Sequence, residues 1–161
     1  MEQSQDLRIV FFGTPEFGAI VLERMIASLV KPVLVVTASD KPVGRKRILT
    51  PPPVKKIGEQ YRIPIEQSER VESCKLKIEN LKPDLIVVAA YGHIVPEEFL
   101  HIPKYGALNV HPSLLPKYRG PSPIQAAILN GDKEIGVTII LMDEKMDHGP
   151  IVANSKFKIQ N

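Results

Sequence analysis

The segment Gly106-Ala-Leu-Asn-Val-His-Pro-Ser-Leu-Leu-Pro-Lys-Tyr-Arg-Gly120 passes from a short apolar run into a loop broken by proline and glycine. The apolar run, Ala107–Val110, predicts a buried strand that ends abruptly. Side chains two residues apart on a strand point to the same side, so we expect Asn109 and His111 to emerge together. Open α/β sheets bind ligands beyond the carboxyl ends of their strands, and the segment therefore predicts a site at this edge.

Apolar runs and helical patterns alternate along the rest of the chain. Further strands are predicted at Leu7–Phe12, Val33–Thr37, Asp84–Ala90, Gly136–Met142 and Ile151–Lys158. Helices are predicted at Phe17–Leu29, Pro51–Arg62, Ser73–Leu81 and Pro123–Leu129. This alternation predicts an α/β fold with an open, mainly parallel twisted sheet and helices on both faces. Because no covering helix follows the last predicted strand, we expect an architecture that is truncated at its C-terminal end.

The composition fits one ordinary domain and excludes several classes of protein. The chain has 161 residues, 43% of them hydrophobic, with 21 basic and 18 acidic side chains and a net charge of +3. That excess is too small by itself to indicate nucleic-acid binding. The single cysteine, Cys74, excludes a disulfide framework and a cysteine-rich metal site. The polar N-terminal start and the absence of a long apolar run predict a cytoplasmic protein without membrane contact.

The turn Gly13-Thr-Pro-Glu-Phe-Gly18 lies where dinucleotide-binding folds place their phosphate loop. Its glycine spacing differs from that of the dinucleotide fingerprint, and no Lys-Ser/Thr pair follows as in a P-loop. Pro15 removes a backbone donor and Glu16 adds a negative charge where a phosphate would lie. We therefore expect a tight turn here rather than a nucleotide site.

A third polar residue, Asp147, lies in a glycine-bounded turn after another predicted strand. Asn109 suits donation to a carbonyl oxygen that becomes negative, an interaction worth about 3–4 kcal/mol of activation energy. His111 suits proton relay or donation to the same oxygen, and Asp147 suits holding the ring or a water. The alternative is structural, since a strand-end histidine and a turn aspartate often bond only to nearby backbone. These residues alone do not name a reaction.

No covalent nucleophile or metal centre is indicated. Ser113 is the nearest hydroxyl, but Ser-Leu-Leu-Pro does not form a nucleophile elbow. The four histidines lack the spacing of metal ligands; they are His93, His101, His111 and His148.

The collected motifs resemble the formyltransferase family that uses 10-formyltetrahydrofolate, over essentially the whole chain. The pieces that carry the resemblance are Phe12–Phe17, Ala89–Pro96, Asn109–Gly120, Gly136–Ile139 and Met142–Gly149. The resemblance implies a Rossmann-like domain in which Asn109, His111 and Asp147 form a catalytic trio. It also implies direct attack of a neutral amine on the formyl carbon, without a metal and without a covalent enzyme intermediate.

The same resemblance implies a pocket for the pterin ring of 10-formyltetrahydrofolate. The backbone of Ala89–Val95 and the loop Asp143–Asp147 would line this pocket, bordered by two leucines. The implied folate contacts are Ala89, Tyr91, Gly92, Ile94, Val95, Leu114, Leu115 and Asp143.

A basic loop between Ala38 and Pro53 bears on the choice of acceptor. It carries Lys41, Arg45, Lys46 and Arg47 against the single acid Asp40. Clustered cations suit phosphate contacts, although a solvated charged run is the usual alternative. The pattern resembles the loop with which tRNA-acting members of the family engage the acceptor stem. It implies that a monomer formylates the methionyl α-amine of initiator tRNA and so supports translation initiation.

The resemblance also sets expectations about domains and alternatives. The catalytic domain of the family continues beyond this length, followed by a small β-barrel domain that helps to bind tRNA. We therefore expect residues 1–161 to form a catalytic domain that is incomplete at its C-terminal end, without the barrel. Pro112 and Gly120–Pro123 differ from commoner family spellings at the rim of the site. The alternatives are a formyltransferase for an amino sugar or other small amine, and an inactive folate- or RNA-binding fragment.

Overall fold

A computed structural model of the protein describes residues 7–68 and 70–158. The strands are β1 (Ile9–Gly13), β2 (Leu34–Thr37), β3 (Lys41–Val43), β4 (Ile48–Thr50), β5 (Ile65–Gln67), β6 (Leu85–Ala89), β7 (Ala107–His111), β8 (Glu134–Leu141) and β9 (Ile151–Lys158). The helices are α1 (Glu16–Ala27), α2 (Pro53–Gln60), α3 (Lys75–Leu81), α4 (Glu97–Leu100) and α5 (Pro123–Leu129), and a 3-10 turn, Val71–Cys74, precedes α3.

Seven strands form the main sheet in the order β5-β2-β1-β6-β7-β8-β9. The neighbours from β5 to β7 pair in parallel, whereas β8 and β9 are antiparallel additions at one edge. The chain builds outward from β1 to β2 and β5, and then returns to the other side of β1 with β6. This reversal places a crevice at the carboxyl ends of β1 and β6. The predicted open, mainly parallel sheet is confirmed.

Helices cover both faces of the sheet because its central strands are apolar on both sides. All five residues of β1 are buried. Val10 and Phe12 pack in a cluster with residues of α3 and α4, and Ile9 and Phe11 pack in a second cluster with α1 and α2. This two-sided burial is the reason that the parallel strands are continuous apolar runs in the sequence.

The turn after β1 is a close-packed connection, as the sequence predicted. Helix α1 approaches the end of β6 so closely that a Cβ atom on Gly18 would lie 2.7 Å from the Ala89 carbonyl oxygen. Thr14 also bonds within this connection, since its Oγ1 donates to the Tyr91 carbonyl at 2.7 Å. The turn therefore fixes the relative position of two strand ends at the carboxyl edge.

The segment predicted as a basic loop is a β-hairpin, so the prediction that it lacks regular structure was wrong. Strand β3 pairs antiparallel with β4, with Val43 opposite Ile48. Gly44 and Arg47, at the two ends of the four-residue turn, have φ angles of 73° and 48°, so the chain can reverse within a short distance. Strand-favouring aliphatic residues flank the turn, but the prolines and charges around them obscured the pattern.

Two further elements were not predicted, and one residue is more buried than its surroundings indicated. Strand β5 and helix α4 contain three and four residues, too few to establish a period. Cys74 is buried in the 3-10 turn, and this burial raises the pKa of its thiol to about 11. Among the described residues, no helix is both long and apolar enough to cross a membrane.

Candidate active site

The three polar residues singled out in the sequence meet at the carboxyl end of β7. Asn109 Nδ2 donates a hydrogen bond of 3.1 Å to Asp147 Oδ1, although the two residues are 38 positions apart. His111 Nδ1 lies 3.5 Å from the same oxygen. The side chains of His111 and Asp147 are only 5% and 9% exposed. The structure therefore brings the trio of Asn109, His111 and Asp147 into one largely buried cluster.

Asp147 reaches the trio from the connection between β8 and β9. Strand β8 pairs antiparallel with β7, and Leu141 at its carboxyl end lies opposite Leu108 near the start of β7. The loop that follows β8 therefore folds back along β7 to bring Asp147 to Asn109. Asp147 has a φ of 49°, a left-handed conformation that aspartate tolerates better than most residues. The backbone N–H of Gly120 donates to Asp147 Oδ2 at 2.8 Å, and Arg119 Nε donates to the Asp147 carbonyl at 3.1 Å. Both carboxylate oxygens are therefore bonded and the side chain is fixed.

The hydrogen bonds of His111 define which ring nitrogen carries a proton. Nε2 lies 2.9 Å from the carbonyl oxygen of Tyr118, which can only accept, so Nε2 is the donor. Nδ1 then faces the carboxylate of Asp147. A second proton on Nδ1 would convert this contact into an ion pair within a largely buried cluster. The arrangement therefore places an imidazole nitrogen and a carboxylate oxygen next to Asn109.

A buried hydroxyl network shapes the loop between His111 and Gly120. Thr138 Oγ1 on β8 donates to the Ser113 carbonyl at 2.6 Å and accepts from the backbone N–H of Leu115 at 3.1 Å. Ser113 Oγ donates to the Lys117 carbonyl at 2.6 Å. These bonds place the Tyr118 carbonyl and the Gly120 N–H against the trio. Sequence reasoning did not single out Thr138, although it lies within the motif Gly136-Val-Thr-Ile139.

The predicted folate segment after β6 lies beside the trio because β6 pairs with β7. The side chain of Tyr91 belongs to the core, where it packs edge-to-face on Phe12 at 5.2 Å and burial raises its pKa to about 12. Ala89 is buried and Val95 is half-buried. The exposed part is Gly92, His93 and Ile94, of which Ile94 is 79% exposed. An incoming ligand would therefore meet mainly backbone and the side chains of His93 and Ile94. Folate binding here stays a prediction.

The remaining predicted folate residues lie in three different environments. Asp143 Oδ2 accepts from His148 Nδ1 at 2.8 Å and its Oδ1 accepts from the backbone N–H of Lys145, and these bonds lower the pKa of Asp143. Leu115 is bonded through its N–H to Thr138. Leu114 lines a cavity of about 680 Å³ between its loop, α5 and β8, and no residue of the trio lines that cavity. Leu114 therefore faces a cavity separate from the trio, and its predicted contact with the pterin stays a prediction.

The cationic residues predicted to contact tRNA lie on the exposed hairpin. Among the ion pairs within 4.0 Å in residues 7–68 and 70–158, none involves its four cations, which are Lys41, Arg45, Lys46 and Arg47. Asp40, which the sequence set against these cations, instead pairs with Lys55 at 2.9 Å. The positive charge of the hairpin is therefore not neutralised by a described side chain.

The sheet order and the polar cluster at its carboxyl edge define an open, doubly wound α/β protein with a site for small-group chemistry. The chain belongs to the formyl transferase family, whose family model matches residues 7–161. This match confirms the family that the sequence motifs predicted.

Curated relatives with related sequences carry a more specific name. The chain is 48% identical over 155 residues to the methionyl-tRNA formyltransferase of Staphylococcus aureus (strain N315), covering 95% of this chain and 50% of that protein. It is 51% identical over 149 residues to the methionyl-tRNA formyltransferase of Halalkalibacterium halodurans, covering 91% and 47%. The chain thus spans about half the length of the curated relatives that it matches.

Solved structures show the same fold. Phosphoribosylglycinamide formyltransferase from Bacillus halodurans matches with a TM-score of 0.73 at 26% identity, covering 95% of this chain and 80% of that chain. Glycinamide ribonucleotide transformylase 1 from Symbiobacterium toebii matches with a TM-score of 0.77 at 17% identity, covering 99% and 76%. The second likeness concerns the fold alone.

Proposed function

We propose that the protein transfers a formyl group from 10-formyltetrahydrofolate to the α-amine of methionyl-initiator tRNA, in the cytoplasm, as a step of translation initiation. Residues 1–161 would supply the catalytic domain. The observation that carries the proposal is the contact of Asn109 and His111 with one oxygen of Asp147 at the carboxyl edge of the sheet. The names of the sequence relatives support the choice of reaction.

Asn109 would act as the donor to the formyl oxygen. Its Nδ2 carries two protons, and only one of them is committed to Asp147. The second is available for an oxygen that becomes negative as the formyl carbon is attacked. A preorganised donor of this kind lowers the barrier by about 3–4 kcal/mol. Asp147 holds the amide in the orientation that this role requires.

His111 and Asp147 would together stabilise the negative charge on the formyl oxygen and assist the loss of a proton from the amine. The Nε2 proton of His111 is committed to the Tyr118 carbonyl, but the Nδ1 contact with Asp147 is long, at 3.5 Å. A proton on Nδ1 is therefore not held in a short hydrogen bond, and the charged ring can stabilise the developing negative charge while Asp147 balances the positive ring. Asp147 can also order the water that accepts the proton which the attacking amine must lose.

The folate donor would supply the activated formyl carbon, and this chain offers it a surface next to the trio. A Cβ atom built on Gly92 would meet no heavy atom within 4 Å, so the segment after β6 borders open space. Backbone groups of Ala89, Tyr91, Gly92 and Val95, with Ile94 and Asp143, would hold the pterin there. No covalent step on the protein is needed, and the buried Ser113 hydroxyl is already bonded to a carbonyl.

The hairpin favours a nucleic-acid acceptor over a small amine. Lys41 and the three cations of the turn, Arg45, Lys46 and Arg47, are exposed and lack a described acidic partner. Several cations on one projecting element suit the regular phosphates of an RNA stem. An amino sugar or another small amine would gain little from exposed cations on a hairpin that is separate from the main sheet.

An acceptor comparison tests the proposal. Initial rates of formyl transfer from 10-formyltetrahydrofolate would be measured with charged initiator tRNA, a nucleotide-linked amino sugar and a glycinamide-type amine. We expect transfer to the tRNA, and a fall in kcat of about 100- to 1,000-fold in Asn109→Ala, as for loss of an oxyanion donor. Preferred formylation of either small amine would reject the tRNA assignment, and undiminished kcat in Asn109→Ala would reject the site.

A further inference from the structure

The cationic hairpin is an isolated element whose direction has to be set at its base. Strands β3 and β4 form a separate two-stranded sheet and do not join the main sheet. Their apolar side chains are largely exposed, with Val43, Ile48 and Leu49 at 56%, 62% and 66%. A two-stranded hairpin is at best marginally stable in water without additional packing. The contacts at its base therefore matter for where its cations point.

Three polar side chains hold that base. The carboxylate of Asp40, directly before β3, accepts from Lys55 Nζ at 2.9 Å through each oxygen. Gln67 Nε2 donates to Asp40 Oδ1 at 2.7 Å and to the Ala38 carbonyl at 2.8 Å. We refer to Asp40, Lys55 and Gln67 as the root cluster. It ties the entry into the hairpin to helix α2 and to the end of strand β5.

The root cluster is better shielded and better bonded than an ordinary surface ion pair. The side chains of Lys55 and Asp40 are 20% and 25% exposed. The hydrogen bond from Gln67, followed by that from Lys55, holds the pKa of Asp40 below its usual value. On the other side of the hairpin, three prolines, Pro51–Pro53, stiffen the exit into α2. Both ends of the hairpin are thus fixed.

The same base is connected to the carboxyl edge of the sheet. The backbone N–H of Ala38 donates to Thr14 Oγ1 at 3.3 Å, and Thr14 Oγ1 donates to the Tyr91 carbonyl at 2.7 Å. Tyr91 begins the segment that leaves β6 next to the trio. A continuous set of hydrogen bonds therefore relates the base of the hairpin to the segment after β6.

We propose that Asp40, Lys55 and Gln67 are positioning residues for a nucleic-acid acceptor: they hold the cationic turn at a fixed direction relative to the catalytic edge without contacting the acceptor. This inference rests on the proposed function. A hairpin free to swing would have to be ordered each time RNA binds, which weakens binding, whereas the number of phosphate contacts in the complex would be the same. Loss of this positioning should therefore weaken RNA binding without changing its salt dependence, because the salt dependence reports the number of phosphate contacts.

Replacement of Asp40 gives a test in which two explanations predict opposite signs. Asp40→Ala removes a negative charge near four cations, so direct electrostatics predicts tighter RNA binding. Positioning predicts weaker binding, with Kd for an initiator acceptor-stem RNA and KM for the tRNA rising about 10-fold. Gln67→Met removes donors without changing charge and should act in the same direction. KM for the folate donor and the salt slope of RNA binding should stay unchanged.

Glu66→Ala is the matched control. Glu66 precedes Gln67 on β5 and forms an ion pair with Lys77 Nζ at 2.6 Å. Its replacement therefore also removes one paired carboxylate, next to the root cluster but outside it. We expect RNA affinity within about 2-fold of wild type, as for a surface ion pair. Urea unfolding of each variant of the full chain would show whether Asp40→Ala is folded, and Asp40→Glu should restore part of the affinity.

The outcomes distinguish this inference from the proposed function. Unchanged or tighter RNA binding in folded Asp40→Ala, or a Gln67→Met variant that binds like wild type, would overturn the inference. Suppose that the inference is overturned in this way, but that the double variant Arg45→Ala with Arg47→Ala binds RNA more weakly. The positioning role is then rejected and the tRNA acceptor is retained. If that double variant also binds RNA normally, both the positioning role and the tRNA acceptor are rejected.

Discussion

Asp147→Asn tests the geometry of the site with the smallest change in shape. Asparagine tolerates the left-handed backbone of this position, where φ is 49°. In the wild type, Oδ1 accepts from Asn109 and Oδ2 accepts from the Gly120 N–H, at 3.1 and 2.8 Å. An amide has only one acceptor, so its NH₂ must face one of these two donors in either orientation. The substitution also removes the negative charge that lies 3.5 Å from His111 Nδ1.

The expected loss follows from these contacts. One hydrogen bond to a charged group contributes about 1.5–3 kcal/mol. At about 1.4 kcal/mol per factor of ten, its loss alone lowers kcat about 10- to 150-fold. The lost charge acts in the same direction, since a positive His111 ring would no longer be balanced.

The assay would compare initial rates of formyl transfer with the free energy of unfolding in urea. Asp84→Asn is the control: Asp84 Oδ2 likewise accepts a backbone N–H, from Arg8 at 2.9 Å, but lies directly before β6, at the opposite edge of the sheet. This control should retain the wild-type rate. An Asp147→Asn variant with wild-type kcat would refute the assignment of Asp147 as the residue that orients the other two.

Three further predictions concern the hairpin and the core. Arg45→Ala with Arg47→Ala should reduce the magnitude of the slope of log K against log salt for RNA binding by about 1.4–1.8, measured by fluorescence anisotropy from low to moderate salt; an unchanged slope would mean that neither arginine meets a phosphate. Gly136→Ala places a Cβ atom against the Ser155 carbonyl and should destabilise the fold by about 1–3 kcal/mol in urea; wild-type stability would contradict this packing. Burial raises the pKa of Cys74 from 9.0 to about 11, so the folded state favours the protonated thiol. Stability should be complete below pH 9 and fall by about 2–3 kcal/mol between pH 9 and 11, and the fall should be smaller in Cys74→Ala.

The sequence predicted the central strands because their burial on both faces leaves continuous apolar runs. It also predicted that Asn109 and His111 would point to one side, because the two-residue period of a strand requires it. The meeting with Asp147 was not derivable from spacing alone. It depends on the loop after β8, which leaves that strand beside the start of β7 and folds back to place Asp147 against Asn109.

The parts that the sequence did not reveal are carried by backbone atoms or by very short elements. The Tyr118 carbonyl and the Gly120 N–H complete the hydrogen bonding of His111 and Asp147. Every residue other than proline has both backbone groups, so the sequence does not show which of them bond to the site. The cationic hairpin was taken for a loop because its strands contain three residues each. The pairing of Asp40 with Lys55 and Gln67 joins residues 15 and 27 positions apart, a distance at which no local pattern is visible.

The most direct test of the central claim is the transfer of a labelled formyl group from 10-formyltetrahydrofolate to charged initiator tRNA, by the full chain and by His111→Ala. We predict formylmethionyl-tRNA as the labelled product, with kcat reduced about 100-fold or more in the variant, as for loss of a general acid–base group. Urea unfolding would confirm that the variant is folded. Equal rates for the two proteins, or label that appears only on a small amine, would contradict the account.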